Sequence, residues 1–213
     1  MIPIQLENVR EVLCLGAHAG DLEMGCGGAV LRLLAARPQI EVHWVVLGAE
    51  GPRAEEARQA AGRILQGAGA GHVVIEGFRE GFFPYLGAPI KERFLQFGET
   101  LSPDVIFTHR RGDLDLDRRL VWELTWSTFR DHVILEYEVP KYEGDLGHPN
   151  LYVPLDEPTA RRKVHALVEC YRGGQQRPGF AADTFWSLMS LRGLECNSPT
   201  KLAEGLYCRK MVM

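Results

Sequence analysis

The sequence predicts an α/β fold, a Rossmann-like, mostly parallel sheet with helices on both faces and a C-terminal elaboration. Short apolar runs alternate with amphipathic stretches over the first two thirds of the chain, which is the pattern of β-α-β units. A length of 213 residues, with 46% hydrophobic and 24% charged residues, suits a single domain over residues 1–213 that buries a full core.

The predicted elements follow in order along the chain. Strands are expected at 11–17, 40–47, 72–76, 104–108 and 133–139, and helices at 23–36, 53–66, 88–101 and 118–131. Apolar residues recur at helical spacing in the first helix, and Gly67 ends the second one. The aromatic stretch 77–87, punctuated by glycine and proline, predicts a loop. The last third predicts an irregular stretch at 139–156, helices at 157–171 and 181–192, and a strand near 204–210.

Composition excludes several classes of protein. There are 24 Lys and Arg against 28 Asp and Glu, which gives a net charge of −4. A nucleic-acid-binding domain typically carries an excess of positive charge, and this chain does not. No apolar run approaches the ~20 residues that span a bilayer, and the first residues lack the pattern of a signal peptide. The cysteines are odd in number and form no C-x-x-C pair, which favours reduced thiols. We therefore expect a cytoplasmic protein with neither a nucleic-acid nor a membrane partner; a homo-oligomer stays open.

Two polar loops follow predicted strands, the place where open α/β sheets bind ligands. HAGDLE at 18–23 follows the first strand, and HRRGDLDLDRR at 109–119 follows the fourth. His18 and Asp21 can converge on one metal ion, although local hydrogen bonding and a helix cap explain them as well. The second loop has an alternative interpretation, in which its charged side chains face solvent and pair with one another. Because the first loop is no G-x-G-x-x-G motif, dinucleotide binding is disfavoured.

Both loops also resemble a known family. AHAGDLEMGCGG resembles the A-H-P-D-D-x-E-x-G-x-G-G signature of the PIG-L/LmbE-type N-acetylglucosamine deacetylases, and PDVIFTHRRGDLDLDRRLV resembles their P-D-x-V-F-T-H-x-x-x-D-x-H-x-D-H signature. The resemblance extends over roughly residues 10–210 with both spacings intact. It implies a Rossmann-like fold and zinc-dependent hydrolysis of an N-acetyl group from an amino sugar or glycoconjugate.

The resemblance carries over only in part. His18 and Asp21 match two metal ligands, and Glu23 and Asp117 match a signature glutamate and aspartate. Gly20, however, stands where the family has its general base, Asp115 where it has the histidine that assists the oxyanion, and Arg118 where it has the third metal ligand. Glycine takes no proton, and a guanidinium has no lone pair for a metal.

These departures predict a metal-free polar cluster in which Arg118 pairs with Asp21, bidentate if geometry allows, and Asp115 shares the guanidinium. The expected catalytic residues are His18, Asp21, His109, Asp115, Asp117 and Arg118. One alternative is that Arg118 points into solvent and that His18 and Asp21 are remnants without a function. A zinc site rebuilt from His18, Asp21 and Asp115, or with His109, Asp113 or His148, is another.

The expected substrate-binding residues are Arg53, Phe83, Tyr85, Asp113, Tyr142 and His148. The histidines inside predicted strands or helices, His43, His72, His132 and His165, are interpreted as structural. The predicted function is a repurposed, metal-independent enzyme that acts on an amino-sugar-like small molecule or a related polar metabolite, with no cofactor. The alternatives are an N-acyl amino-sugar hydrolase with a rebuilt zinc site and a non-catalytic binding partner.

Overall fold

The computed structural model describes residues 8–171 and 180–212, which form a seven-stranded sheet flanked by helices. The strands are β1 (Glu11–His18), β2 (Glu41–Gly48), β3 (Ala70–Ile75), β4 (Val105–His109), β5 (Val133–Tyr137), β6 (Leu151–Pro154) and β7 (Ala203–Cys208). The helices are α1 (Asp21–Gly25), α2 (Gly27–Ala36), α3 (Pro52–Leu65), α4 (Gly87–Thr100), α5 (Leu116–Thr128), α6 (Glu157–Cys170) and α7 (Ala182–Glu195), with a 3-10 turn at Phe83–Leu86.

The strand order is β3-β2-β1-β4-β5-β7-β6, with β1 to β5 parallel and β7 antiparallel to both of its neighbours. This confirms the mostly parallel sheet with a C-terminal elaboration. β1 and β4 are neighbours in the register Val12↔Val105, so the polar loops that follow them leave the sheet side by side. Their juxtaposition is the feature of the fold that builds the candidate site.

Both faces of the sheet are buried, which is why its strands are nearly continuous apolar runs. Val12 and Trp44 belong to the larger core, against α2, α3, α6 and α7, whereas Leu13 and Val45 belong to the smaller core, against α4 and α5. Helices therefore cover both faces, as predicted. In the described ranges, no helix is both long enough and apolar enough to cross a bilayer.

Three local predictions are wrong. The helix expected at 23–36 is two helices, α1 and α2, which meet at Cys26, where the backbone leaves the helical region. The stretch 139–156 contains β6, whose four residues are defined only by pairing with β7, distant in sequence. The expected loop at 77–87 contains the 3-10 turn.

Candidate functional site

The first loop is shaped by a left-handed turn at Gly20. β1 ends at His18, Gly20 has a φ of 97°, and α1 starts at Asp21. Residues with a Cβ rarely adopt that φ, so glycine suits the position. The turn brings Asp21 back under the end of the strand, where its Oδ2 accepts a hydrogen bond from the backbone N–H of His18 at 2.9 Å. Asp21 is thereby fixed at the carboxyl end of β1.

Arg118 reaches this carboxylate from α5 and forms a bidentate ion pair with it. Its Nη2 lies 2.7 Å from Oδ1 of Asp21, and its Nε lies 3.3 Å from Oδ2. Both side chains are buried, Asp21 at 1% and Arg118 at 8% exposure. Burial alone raises the pKa of Asp21, but the adjacent guanidinium outweighs it and holds that pKa well below its usual range. The predicted pairing of Arg118 with Asp21 is therefore present.

Asp115 has a different partner from the one expected. It is the N-cap residue of α5, and its Oδ1 accepts hydrogen bonds from the backbone N–H groups of Asp117 at 3.0 Å and Arg118 at 3.1 Å. The prediction that Asp115 shares the Arg118 guanidinium is wrong, because the carboxylate satisfies free amides at the start of the helix. The same cap explains why α5 begins at Leu116, two residues earlier than predicted.

His18 and Asp117 form a second buried pair beside the first. Nε2 of His18 lies 2.9 Å from Oδ2 of Asp117, a carboxylate that also accepts the backbone N–H groups of Gly81 and Phe83. Burial alone lowers the pKa of His18, but the bond to Asp117 and the charge of Asp21 outweigh it, so the pKa lies above its ordinary value. Because a carboxylate only accepts hydrogen bonds, Nε2 carries the proton and Nδ1 holds the lone pair of the neutral ring.

His109 lies behind this cluster. It is fully buried, and its Nε2 accepts the backbone N–H of Ala17 at 3.0 Å. Nε2 also lies 3.3 Å from Oδ2 of Asp21. Two acceptors that face each other form no hydrogen bond, and burial lowers the pKa of His109, so its ring stays neutral. The structure therefore places this predicted catalytic residue in a supporting position.

Three polar atoms of the cluster remain open to a ligand. They are Nδ1 of His18, Oδ2 of Asp115 and Nη1 of Arg118. Within residues 8–171 and 180–212 none of them makes a hydrogen bond, and none is among the fully buried polar atoms that lack a partner. Within the described ranges the cluster thus keeps a lone pair, a carboxylate oxygen and a guanidinium N–H that no hydrogen bond uses, and Nδ1 of His18 lies 3.7 Å from Oδ2 of Asp21.

The predicted substrate-binding residues divide between interior and rim. Phe83 is fully buried, and its ring lies 5.8 Å from that of His18, so the prediction that it stacks on a sugar is wrong. Asp113 is also buried, with Lys141 at 3.0 Å and the backbone N–H of Asp115 at 2.9 Å. Both support the cluster, and they do not line an open surface. Phe83 and Asp113 were predicted to line the surface because both belong to loop sequences. A loop sequence does not show which of its side chains turn inward.

The other four of these residues are accessible to solvent. Tyr85 and Tyr142 are largely exposed, as is His148, and Arg53 is half-buried with its Nη1 2.6 Å from Oε2 of Glu80. Glu80 directly precedes the Gly81 amide that binds Asp117, which ties Arg53 to the rim of the cluster. No hydrogen bond joins Tyr85, Tyr142 or His148 to the cluster within the described ranges.

Sequence reasoning assigned no role to Tyr171, at the end of α6. Its hydroxyl donates to Oε1 of Glu23 at 3.1 Å, while Oε2 of this fully buried glutamate has no hydrogen-bond partner among the described residues. Burial raises the pKa of Glu23 to about 7. No local pattern could have predicted the contact, because 148 residues separate the two side chains.

The residues present do not fit the metal that the family resemblance implies. A zinc site needs three protein ligands and an open position. Here both carboxylate oxygens of Asp21 face Arg118, whose positive charge stands where the third ligand would be. A different grouping is possible, since ligand atoms of His18, Asp115 and Asp117 all lie within 4.8 Å of one another.

The described part of the chain has the fold of the LmbE/PIG-L deacetylases. The N,N'-diacetylchitobiose deacetylase from Pyrococcus horikoshii is 15% identical with a TM-score of 0.67, over 95% of this chain and 85% of that one. The conserved protein TT1542 from Thermus thermophilus is 16% identical with a TM-score of 0.74, over 95% of both chains. GalB, the 4-carboxy-2-hydroxymuconate hydratase from Pseudomonas putida, is 17% identical with a TM-score of 0.74, over 96% of this chain and 98% of that one.

No protein-family model and no curated protein sequence matches this chain. At these identities the structural likeness shows the fold alone.

Proposed function

We propose that the protein is a metal-independent enzyme, built on the deacetylase fold, that acts on an amino-sugar-like or related polar metabolite at the carboxyl ends of β1 and β4. The observation that carries this proposal is the buried bidentate pair of Arg118 and Asp21. A fixed guanidinium there supplies positive charge where the family resemblance implies a metal ion. It polarises a ligand oxygen by hydrogen bonding and charge.

His18 is the group best suited to move a proton. Its Nε2–H is anchored on Asp117 at 2.9 Å, which orients the ring and makes Nδ1, 3.7 Å from Oδ2 of Asp21, the atom that exchanges a proton with a ligand. The hydrogen bond to Asp117 and the charge of Asp21 outweigh burial and raise the pKa of His18, which favours its protonated form and suits it to donate a proton to a ligand. Nη1 of Arg118 then stabilises the negative charge that develops on the substrate.

Asp115 supplies the selectivity for a polar, amine-bearing ligand. Its Oδ1 is held by two backbone amides, so Oδ2 is rigid, and it accepts from a ligand hydroxyl or ammonium group. Together with Arg118, it suits a small molecule that carries both a donor and an acceptor, as amino sugars do. The exposed Tyr85 and the half-buried Arg53 are available at the rim for the rest of the molecule.

The fold itself tolerates a change of reaction. Its solved examples include deacetylases and a hydratase, and the reaction of that hydratase involves no amide bond. Fold therefore sets no single chemistry, and the site decides. This supports a repurposed enzyme over a deacetylase whose activity is simply reduced.

The test combines ligand binding with amine release. Chelator-treated protein is screened by saturation-transfer NMR against glucosamine, N-acetylglucosamine and their 6-phosphates, and free amine is measured with and without added zinc. We expect binding in the presence of chelator and no zinc-dependent amine release. Asp115→Asn, which keeps the helix cap, should weaken binding of the amine-bearing sugars about tenfold, whereas Asp131→Asn should not.

Zinc-dependent release of amine from the N-acetylated sugars would overturn the proposal. Absence of any binding would favour the non-catalytic interpretation.

A second candidate is a hydrolase with a rebuilt zinc site. The observation in its favour is the close grouping of His18, Asp115 and Asp117. Zinc content separates the two candidates, because His18→Ala removes a ligand of that grouping. Equal zinc content in the wild type and in this variant supports the metal-independent enzyme, and loss of one zinc per chain supports the rebuilt site.

The cellular setting follows from the thiols. All five cysteines are free, and four of them are buried: Cys14, Cys26, Cys170 and Cys196. We expect a reducing, cytoplasmic environment on this ground.

A further inference from the structure

A second group of metal-binding side chains lies at the amino ends of the strands, away from the polar cluster. Glu11 lies on β1, Glu41 and His43 on β2, and His72 on β3. The strand register pairs Glu11 with Glu41 and His43 with His72. Because residues two apart on a strand face the same side, Glu41 and His43 join the other two on the face that carries α4 and α5.

The ligand atoms of Glu41, His43 and His72 all lie within 4.8 Å of one another, and Glu11, which also accepts the backbone N–H of Ser102, adjoins them through His43. Oε1 of Glu41 lies 3.4 Å from Nε2 of His43 and 2.9 Å from Nε2 of His72, and Oε1 of Glu11 lies 3.5 Å from Nε2 of His43. Ligands bound tetrahedrally to zinc at roughly 2.0–2.1 Å are separated by about 3.3–3.4 Å. The observed separations bracket this value without any movement of the backbone.

Charge also favours a divalent cation here. Within the described ranges the only ion pairs of Glu11 and Glu41 are with these histidines, and no lysine or arginine neutralises them. The two carboxylates sum to −2, the charge that one zinc ion offsets. The rings of His43 and His72 are stacked, with centroids 4.8 Å apart, and two imidazolium cations would repel each other at that distance.

We propose that Glu11, Glu41, His43 and His72 form a zinc site that fastens the edge strand β3 to β2 and β1. The ligands are two imidazole nitrogens and two carboxylate oxygens, a set that zinc accepts. Burial lowers the pKa of His43, which keeps its lone pair free for a metal at neutral pH. His72 and Glu41 are about half exposed, so the ion enters from solvent without opening the fold.

The site is independent of the proposed function. Glu11 and His18 are the two ends of β1, and at ~3.3 Å per residue they lie roughly 23 Å apart. The polar cluster therefore contributes no ligand to the zinc site. The zinc ion ties together strands whose connections pass through α2 and α3, and β3 is the outermost strand of the sheet. We therefore expect bound zinc to raise the thermal stability of the protein.

The experiment measures zinc binding and thermal stability on chelator-treated protein. Isothermal titration with Zn²⁺ should give one ion per chain. A hundredfold excess of free zinc over the Kd should raise the Tm by about 5–10 °C. Co²⁺ should give the absorption of a tetrahedral ion. His43→Gln and His72→Gln should each weaken zinc binding by tenfold or more and remove the rise in Tm.

Two matched variants control for other histidines. His18→Ala removes the competing group in the polar cluster, and His165→Ala removes a histidine that pairs with Arg63 on the surface. Both should retain the wild-type zinc affinity. The Tm of every variant without metal shows whether it folds.

Zinc binding that is lost in His18→Ala and kept in His72→Gln would overturn the proposal, as would no binding at millimolar zinc. Neither result depends on whether the protein turns over a sugar.

Discussion

Replacement of Arg118 by methionine tests whether the guanidinium balances a buried charge. The substitution keeps most of the volume of the side chain but removes both bonds to Asp21. The carboxylate then keeps the backbone N–H of His18 as a hydrogen-bond donor, and among the described residues it has no cation within ion-pair distance unless His18 or His109 is protonated. An unpaired charge with 1% exposure cannot be compensated by water.

The expected loss of stability follows from that burial. Removal of one partner of a buried pair costs about 3–5 kcal/mol. For a chain of this length each kcal/mol corresponds to roughly 2–4 °C, so the Tm should fall by roughly 6–20 °C. Adding Asp21→Asn to the Arg118→Met variant removes the unpaired carboxylate charge. The double variant should therefore be more stable than Arg118→Met alone.

The sign of the pH dependence gives a second measurement. In the wild type the pKa of Asp21 is held well below its usual range, so the pair stabilises the fold above pH ~4, and this stability is lost as pH falls through the folded pKa. In the Arg118→Met variant, which lacks the guanidinium, burial raises the pKa of Asp21 instead. The deficit of the variant should therefore be smallest at pH values below the folded pKa of Asp21 in the wild type, and it should grow as pH rises toward 7.

Urea unfolding followed by circular dichroism at several pH values measures this deficit. Arg119→Met is the matched control, since this neighbour of Arg118 on α5 forms no ion pair within the described ranges. An Arg118→Met variant that is as stable as this control at pH 7 would refute the assignment of a charge-balancing role.

The remaining predictions concern the cluster and its supports. Arg118→His alone should create a zinc site with His18 and Asp21. Elemental analysis should detect it as one zinc beyond the wild-type content, and this zinc should disappear when His18 is also replaced; no additional zinc would count against the match to the family signature. Glu23→Gln should stabilise the fold by up to about 3 kcal/mol at pH 8 and by nearly nothing at pH 4.5, because a pKa raised to about 7 costs stability as pH rises from 4.5 through 7. An equal effect at both pH values would contradict that shift. Glu204→Ala should lower the free energy of unfolding by about 3–5 kcal/mol, because this buried carboxylate accepts two amides at the start of α2 and the ammonium of a buried lysine. A loss below about 1 kcal/mol in urea unfolding would show that the chain rearranges around it.

The fold was predictable because its signals are local and repeated. Apolar runs and helical spacing predicted β1 to β5 and the helices between them, and two polar loops after β1 and β4 predicted where the site lies. The pairing of Arg118 with Asp21 was predictable for a chemical reason: a buried carboxylate that loses its metal needs another cation.

What could not be predicted depends on contacts distant in sequence. β6 has four residues and no periodic signal of its own. The role of Asp115 as the N-cap of α5 could not be predicted, because the loop contains three aspartates and any of them could cap the helix or form an ion pair. The histidines of β2 and β3 were interpreted as structural, since only the strand register shows that His43 and His72 stack beside two carboxylates.

The substitutions in the polar cluster are best understood as a pair that conserves charge. In the deacetylases that the sequence resembles, a zinc ion of charge +2 faces two aspartates, one at the position of Asp21 and one at that of Gly20. Here one guanidinium faces one carboxylate, so the Arg118–Asp21 pair is itself neutral, while Asp115 adds a negative charge where the family signature has a histidine. Arg118 with an aspartate at position 20 would leave a net buried charge of −1, and Gly20 with zinc a net charge of +1. Because either change alone is costly in a buried site, Gly20 and Arg118 stabilise each other.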